Sequence, residues 1–189
     1  MTTQQAVAPL NGVDRQRLFG TIEAIGCNKD VGTFKFRARN RWINGGHNRT
    51  TVKDFYGAGQ EDLSRAEPFV LDADEPDVLL GQDNGANPVE YVLTALAGCL
   101  TTAMVYHAAA RGIHLDSVES KLEGNLDVRG MLGMTDEVRN GYEGIRVTFK
   151  VTGDASDEVL DQLCEIAQQR SPVFDIVSHP VPVTVVREK

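Results

Sequence analysis

A chain of 189 residues, 41% hydrophobic and 24% charged, has the composition of a soluble globular protein and the length of one ordinary domain, with or without an appendage. Its formal charge of −8 leaves no basic excess to offset phosphate repulsion, which argues against a nonspecific nucleic-acid binder. Three cysteines with no short-range pairing make no disulfide framework and suit a reducing cytosol, so a cytoplasmic location is expected.

The start, Met1-Thr2-Thr3-Gln4-Gln5, lacks the basic and apolar stretches of a signal peptide. Residues 1–10 carry no pattern and read as a loose tail. Leu18, Ile22 and Ile25 recur at helical spacing, predicting a short amphipathic helix over Val13–Ile25 that ends near Gly26. From Thr33 the period changes: Phe34, Phe36 and Ala38 alternate with Lys35, Arg37 and Arg39, as in a half-buried strand. Asn44-Gly45-Gly46 turns the chain, and His47 to Tyr56 makes the second strand of a hairpin. Glu67–Asp72 reads as a third strand, followed by an acidic loop with Pro76 and the polar run Gly81-Gln82-Asp83-Asn84-Gly85-Ala86.

A long helix starts at that loop. Asn87 is a good N-cap, Pro88 fits the first helical position, and Glu90 stands where it can close a capping box. From Tyr91 to Ala110 there is no charged residue, and Gly112 ends the helix. That run is long enough to span a bilayer. However, Thr94, Thr101, Thr102, Gly98, His107 and many alanines weaken its affinity for lipid, and a helix apolar all round is equally the central helix of a large core. No membrane partner is expected. Strands follow near Ser117–Val128 and Gly144–Thr152, joined by a polar hairpin. A second helix, capped by Asp154 or Ser156, has the apolar stripe Val159, Leu160, Leu163, Ile166 and Ala167. Pro172 interrupts it, a turn of helix fits Val173–Val177, and Pro182–Arg187 reads as a last strand. The order predicts an α+β fold in which a mostly antiparallel sheet packs on a long central helix and a second helix. Residues 1–32 form an N-terminal tail with a short helix, and residues 33–189 the domain.

Cys99 lies in the middle of the uncharged helix. Free cysteines are usually small buried hydrophobes, and a reactive one needs a cation or donor to favour its thiolate. No Lys or Arg lies within two turns of Cys99 on its own helix, so any such charge comes from elsewhere. The hairpin arginines Arg37, Arg39, Arg41 and Arg49 are the obvious supply, though spacing alone does not show that they reach it.

The string from Asn87-Pro88-Val89-Glu90-Tyr91 through Ala97-Gly98-Cys99 resembles the central helix of the OsmC/Ohr family, the osmotically inducible and organic-hydroperoxide-resistance proteins. Phe149-Lys150-Val151-Thr152-Gly153, the next helix and Gln169-Arg170-Ser171-Pro172-Val173 continue the resemblance in order and spacing. It covers residues 33–188.

The resemblance implies an OsmC-like fold, an intertwined homodimer with sites at the subunit interface, and thiol-dependent reduction of small organic hydroperoxides. No cofactor is implied beyond an external thiol reductant. Cys99 would attack the peroxide and become a sulfenic acid, which a second cysteine then resolves. An arginine of the first hairpin and a glutamate at the start of the cysteine helix hold the nucleophile ionised. Arg49, in a turn that resembles the family's hairpin loop, is the choice for the first, with Arg41 next. Glu90 matches the glutamate in branches reading Pro-x-Glu; where the family reads Pro-Glu, Val89 takes that place. Its alternative role is the capping box.

The second cysteine is missing, because Ser171 occupies its position. Cys164, seven residues earlier, is about 10 Å away along a helix axis. Bridged cysteines need Cα atoms within about 7 Å, so Cys164 reads as a packing residue. Cys27 lies outside the resemblance. The four histidines have no metal-ligand spacing, so no metal is expected. Two functions stay open: a one-cysteine hydroperoxide reductase serving oxidative-stress defence, and a non-catalytic relative that binds a small hydrophobic molecule or senses oxidants.

Overall fold

The computed structural model describes residues 9–188, so the tail expected over residues 1–10 falls almost wholly outside the described residues. The chain divides into two compact units, residues 16–92 and residues 9–15 with 93–188. The division falls inside one long helix.

In the first unit, α1 (Arg15–Cys27) has no buried residue. A three-stranded antiparallel sheet has the order β1 (Arg39–Asn44), β2 (His47–Val52), β5 (Phe69–Ala73). Gly45, with φ of 55°, makes the β1–β2 turn that a side chain would strain. A small hairpin, β3 (Phe55–Gly57) and β4 (Gln60–Asp62), turns at Ala58-Gly59. The sequence reading placed no hairpin there.

The first strand starts at Arg39, not at Thr33. Alternation marks an extended segment, but a strand also needs a hydrogen-bonded neighbour. In residues 34–38 only Lys35 finds one, at Tyr56. Phe34 and Phe36 are accordingly 48% and 69% exposed, stacked on each other, with Phe34 also stacked on Phe55 and Phe36 tilted against it. The second strand likewise stops at Val52, because Lys53 and Asp54 leave the ladder before β3 begins.

The loop after β5 is built on Asp74, which is only 2% exposed. Its carboxylate accepts N–H groups from Glu75, Gln82 and Asn84 and the Asn84 side-chain amide, at 2.7–3.2 Å. The Asn84 amide foremost, with those backbone donors, holds the Asp74 carboxyl down at about 2, against the opposing effect of burial. Gly81 and Gly85 let the loop fold back on itself. A Cβ on either would lie 1.7 Å from the Glu75 carbonyl oxygen or 2.0 Å from that of Asp72.

In the second unit, α2 (Pro88–Arg111) contributes its residues from 93 onward. Leu96, Leu100, Met104 and Ala108 recur every four residues, one face of a helix. They pack on Leu160, Leu163 and Ala167 of α4 (Asp157–Arg170). The hairpin of β6 (Leu115–Asn125) and β7 (Gly144–Gly153) covers both, since its alternate residues Val118, Leu122, Ile145, Val147, Phe149 and Val151 face this cluster. Burying one leucine of such a cluster contributes about 1.5–3 kcal/mol. The β6–β7 connection is more than a hairpin turn: it carries α3 (Val128–Met131), capped by the Asp127 side chain. Gly112, at φ of 78°, ends α2 as expected.

α2 is not buried on every face. Within it only that stripe and Ala109 are buried, and Tyr106 is 51% exposed. Among the described residues it is the one helix long and apolar enough to cross a membrane. After α5 (Pro172–Ser178) the chain runs on without forming the strand expected over Pro182–Arg187. Its valines have strand propensity but pair with no sheet edge among the described residues, and Val185 is 90% exposed.

Candidate functional site

Cys99 is half-buried on α2, one residue from the buried Leu100 and three from Leu96. It therefore flanks the packed stripe rather than lying in it. On its other side is Gly98, where an added Cβ would meet nothing within 4 Å. A helix-interior glycine costs about 1 kcal/mol relative to alanine, and no packing inside the chain requires one here.

Glu90 closes the capping box. Its carboxylate accepts the Asn87 N–H at 2.8 Å, and the Asn87 side chain accepts the Val89 N–H at 2.9 Å. The Asn87 side chain also donates to the Glu75 carboxylate, tying the helix start to the Asp74 loop. Along the helix, Cys99 follows Glu90 by about two and a half turns.

Arg49 is the centre of a charge cluster in the first unit. It is the direct cross-strand partner of Asp72, so both side chains project from one face of the sheet. The pairing is bidentate, with Arg49 Nε on Asp72 Oδ1 at 2.8 Å and Nη2 on Oδ2 at 2.9 Å. His47, two residues before Arg49 and hence on the same face, places Nε2 2.9 Å from Asp72 Oδ1. These two partners, Arg49 first, hold the Asp72 carboxyl down at about 2, and Asp72 raises the Arg49 guanidinium in turn. Arg41 stands opposite Arg49 on β1 and makes no ion pair among the described residues. Arg49 and Glu90 belong to the first unit and Cys99 to the second.

The other cysteines differ in kind. Cys27 is exposed, and Cys164 is half-buried beside a cavity of about 410 Å³ that Lys150, Asp157 and Asp161 also line. Burial, and then the Asp161 charge, push the Cys164 thiol up, away from reactivity. Ser171 is 2% exposed and caps α5, accepting the Phe174 N–H on Oγ at 3.1 Å. The histidines are spread over the fold, and no cluster of three metal-ligating side chains occurs among the described residues. Burial, followed by Arg111 and Arg170, keeps the His107 imidazole down.

Sequence reasoning missed Asp72, which it read only as the end of a strand. The available signal was His47-x-Arg49, two polar residues on one strand face that need an acidic neighbour.

An α+β fold with one thiol at mid-length of its longest helix and a charged first hairpin defines the class. The family model described as OsmC-like protein matches residues 81–186, and the chain belongs to that family. Its fold is similar to that of an OsmC-like protein from Mycoplasma pneumoniae, at 14% identity and a TM-score of 0.58, covering 77% of this chain and 89% of that one. A Legionella pneumophila protein described as an organic hydroperoxide resistance protein OsmC aligns at 20% identity and a TM-score of 0.54, covering 77% and 90%. A putative osmotic stress induced and detoxification response protein from Psychrobacter arcticus aligns at 13% identity and 0.56, covering 76% and 88%. Comparison with curated protein sequences finds no match.

Proposed function

We propose that the protein is a one-cysteine hydroperoxide reductase, with Cys99 as nucleophile. The observation that carries this reading is Cys99 itself: half-buried beside an open glycine, in the segment that the family model matches. The Cys99 thiolate attacks one peroxide oxygen. The S–O bond forms as the O–O bond breaks, the departing alkoxide takes a proton to become an alcohol, and the sulfur is left as sulfenic acid. A small external thiol displaces water from it to give a mixed disulfide, and a second thiol releases Cys99 reduced. Arg49 stabilises negative charge at the reacting sulfur and oxygens. Glu90 is the supporting carboxylate at the start of the helix.

The expected partner is a second copy of the chain, supported by the exposed valines after α5 and the uncovered side of α2. The substrate class is a small organic hydroperoxide, and the setting is the cytoplasm.

One observation favours a second reading. Ser171, where the family resemblance puts the resolving thiol, is a buried helix cap, which suits a protein that binds or senses without turnover. Purified protein with cumene hydroperoxide and a mono- or dithiol reductant, assayed beside Cys99→Ser, separates the two. Peroxide consumption that depends on Cys99 supports the reductase. Equal rates for wild type and variant end that reading and leave the binding protein.

A further inference from the structure

The Arg49 guanidinium is held along one edge by Asp72, which His47 engages in turn. Asp72 takes its Nε and one Nη2 hydrogen, and His47 shares Asp72 Oδ1. Of the five N–H groups that an arginine offers, three remain outside this pairing, all on the edge turned away from Asp72. Asp72 is itself fixed, because β5 pairs with β2 along its whole length and the Tyr91 hydroxyl donates to the Asp72 carbonyl at 2.7 Å. Opposite, Arg41 adds a like charge, which would push an unpaired Arg49 side chain outward. A long flexible side chain is thereby reduced to one orientation with a fixed donor edge.

We propose that Asp72 and His47 are positioning residues that hold Arg49 as a preorganised anion receptor, a role that rests on the reductase reading above. Preorganised donors stabilise developing charge without reorganising during the reaction, whereas a free arginine loses that advantage. Misplacement of such a group by about 1 Å costs on the order of 100-fold in rate.

The test compares Asp72→Asn, Asp72→Glu, His47→Gln and Arg49→Ala. Glu61→Gln serves as control, since Glu61 makes a bidentate pair with Arg37, through Nη1 and Nη2, and has no bond to Arg49. Each is assayed for kcat and KM with tert-butyl hydroperoxide, and for the rate of Cys99 alkylation by iodoacetamide at pH 7. Asp72→Asn is expected to lower kcat/KM by about 10–100-fold, chiefly through kcat, and to slow alkylation as Arg49→Ala does. Asp72→Glu keeps the charge and is expected to recover part of both losses, with His47→Gln between. A merely structural Asp72 predicts the opposite order, because asparagine matches its shape and glutamate does not. Full rates in Asp72→Asn, or a glutamate variant worse than the asparagine one, overturn the proposal. If that happens while Cys99→Ser and Arg49→Ala are inactive, the reductase reading survives alone. If no variant, Cys99→Ser included, alters peroxide consumption, that reading has failed, and the alkylation rates decide the positioning role.

Discussion

Ser171 is the sharpest place to test how structure and chemistry compete. Its Oγ accepts the Phe174 N–H at 3.1 Å, and the residue is 2% exposed. Ser171→Ala removes the cap and nothing else; such losses cost about 1 kcal/mol. Ser171→Cys also loses most of it, because a thiol is a weak acceptor, and it forces a larger atom into a closed site at about 1–3 kcal/mol. The sum is about 3 kcal/mol. For a chain of this size each kcal/mol moves the Tm by about 2–4 °C, so alanine lowers it by about 2–4 °C and cysteine by about 6–12 °C. Calorimetry of the reduced proteins measures both. A reduced cysteine variant as stable as wild type would refute the packing and capping account of this position. With hydroperoxide, the reductase reading adds that the introduced thiol forms a disulfide with Cys99, seen by peptide mapping.

Three more outcomes are expected. Leu163→Ala, at a fully buried site where α4 packs on α2, should cost about 3–5 kcal/mol, a Tm loss of about 6–20 °C by calorimetry, whereas Leu80→Ala, 93% exposed, should cost almost nothing. Asp74, with its carboxyl depressed to about 2, stabilises the fold fully above the ordinary carboxylate range of about 4 and ceases to do so as pH falls from there towards about 2. Urea midpoints of wild type should fall through that window, while Asp74→Asn should start lower at pH 7 and fall less. Cys164, its thiol pushed up by burial and by Asp161, should alkylate more slowly than exposed Cys27, and Asp161→Asn should speed it; equal labelling of the two by mass spectrometry would contradict this.

The parts of the fold that local chemistry determines were readable from the sequence. The Asn87–Glu90 box, the Gly112 stop, the Leu160–Leu163–Ala167 stripe and the Pro172 break depend on neighbours within a few residues, and each stands where it was expected. Strands were less readable, because pairing is decided at a distance. Phe34–Ala38 and Pro182–Arg187 both have a strand's composition, yet neither finds a partner ladder in the described residues. The same limit applied at the candidate site. Arg49 could be chosen from its turn, but the Asp72 that holds it lies twenty-three residues away and meets it only through the β2–β5 register. The serine at position 171 was read as a missing thiol; that it also starts a helix emerged from its hydrogen bond to Phe174.

Gly98 carries a consequence for where the limits on this helix lie. Alanine fits there within the chain, would favour the helix by about 1 kcal/mol, and is one of the easiest stabilising changes open to it. Nothing in the chain's own packing answers to that methyl group, so any effect of Gly98→Ala on the neighbouring thiol has to come from whatever lies against this face from outside the chain.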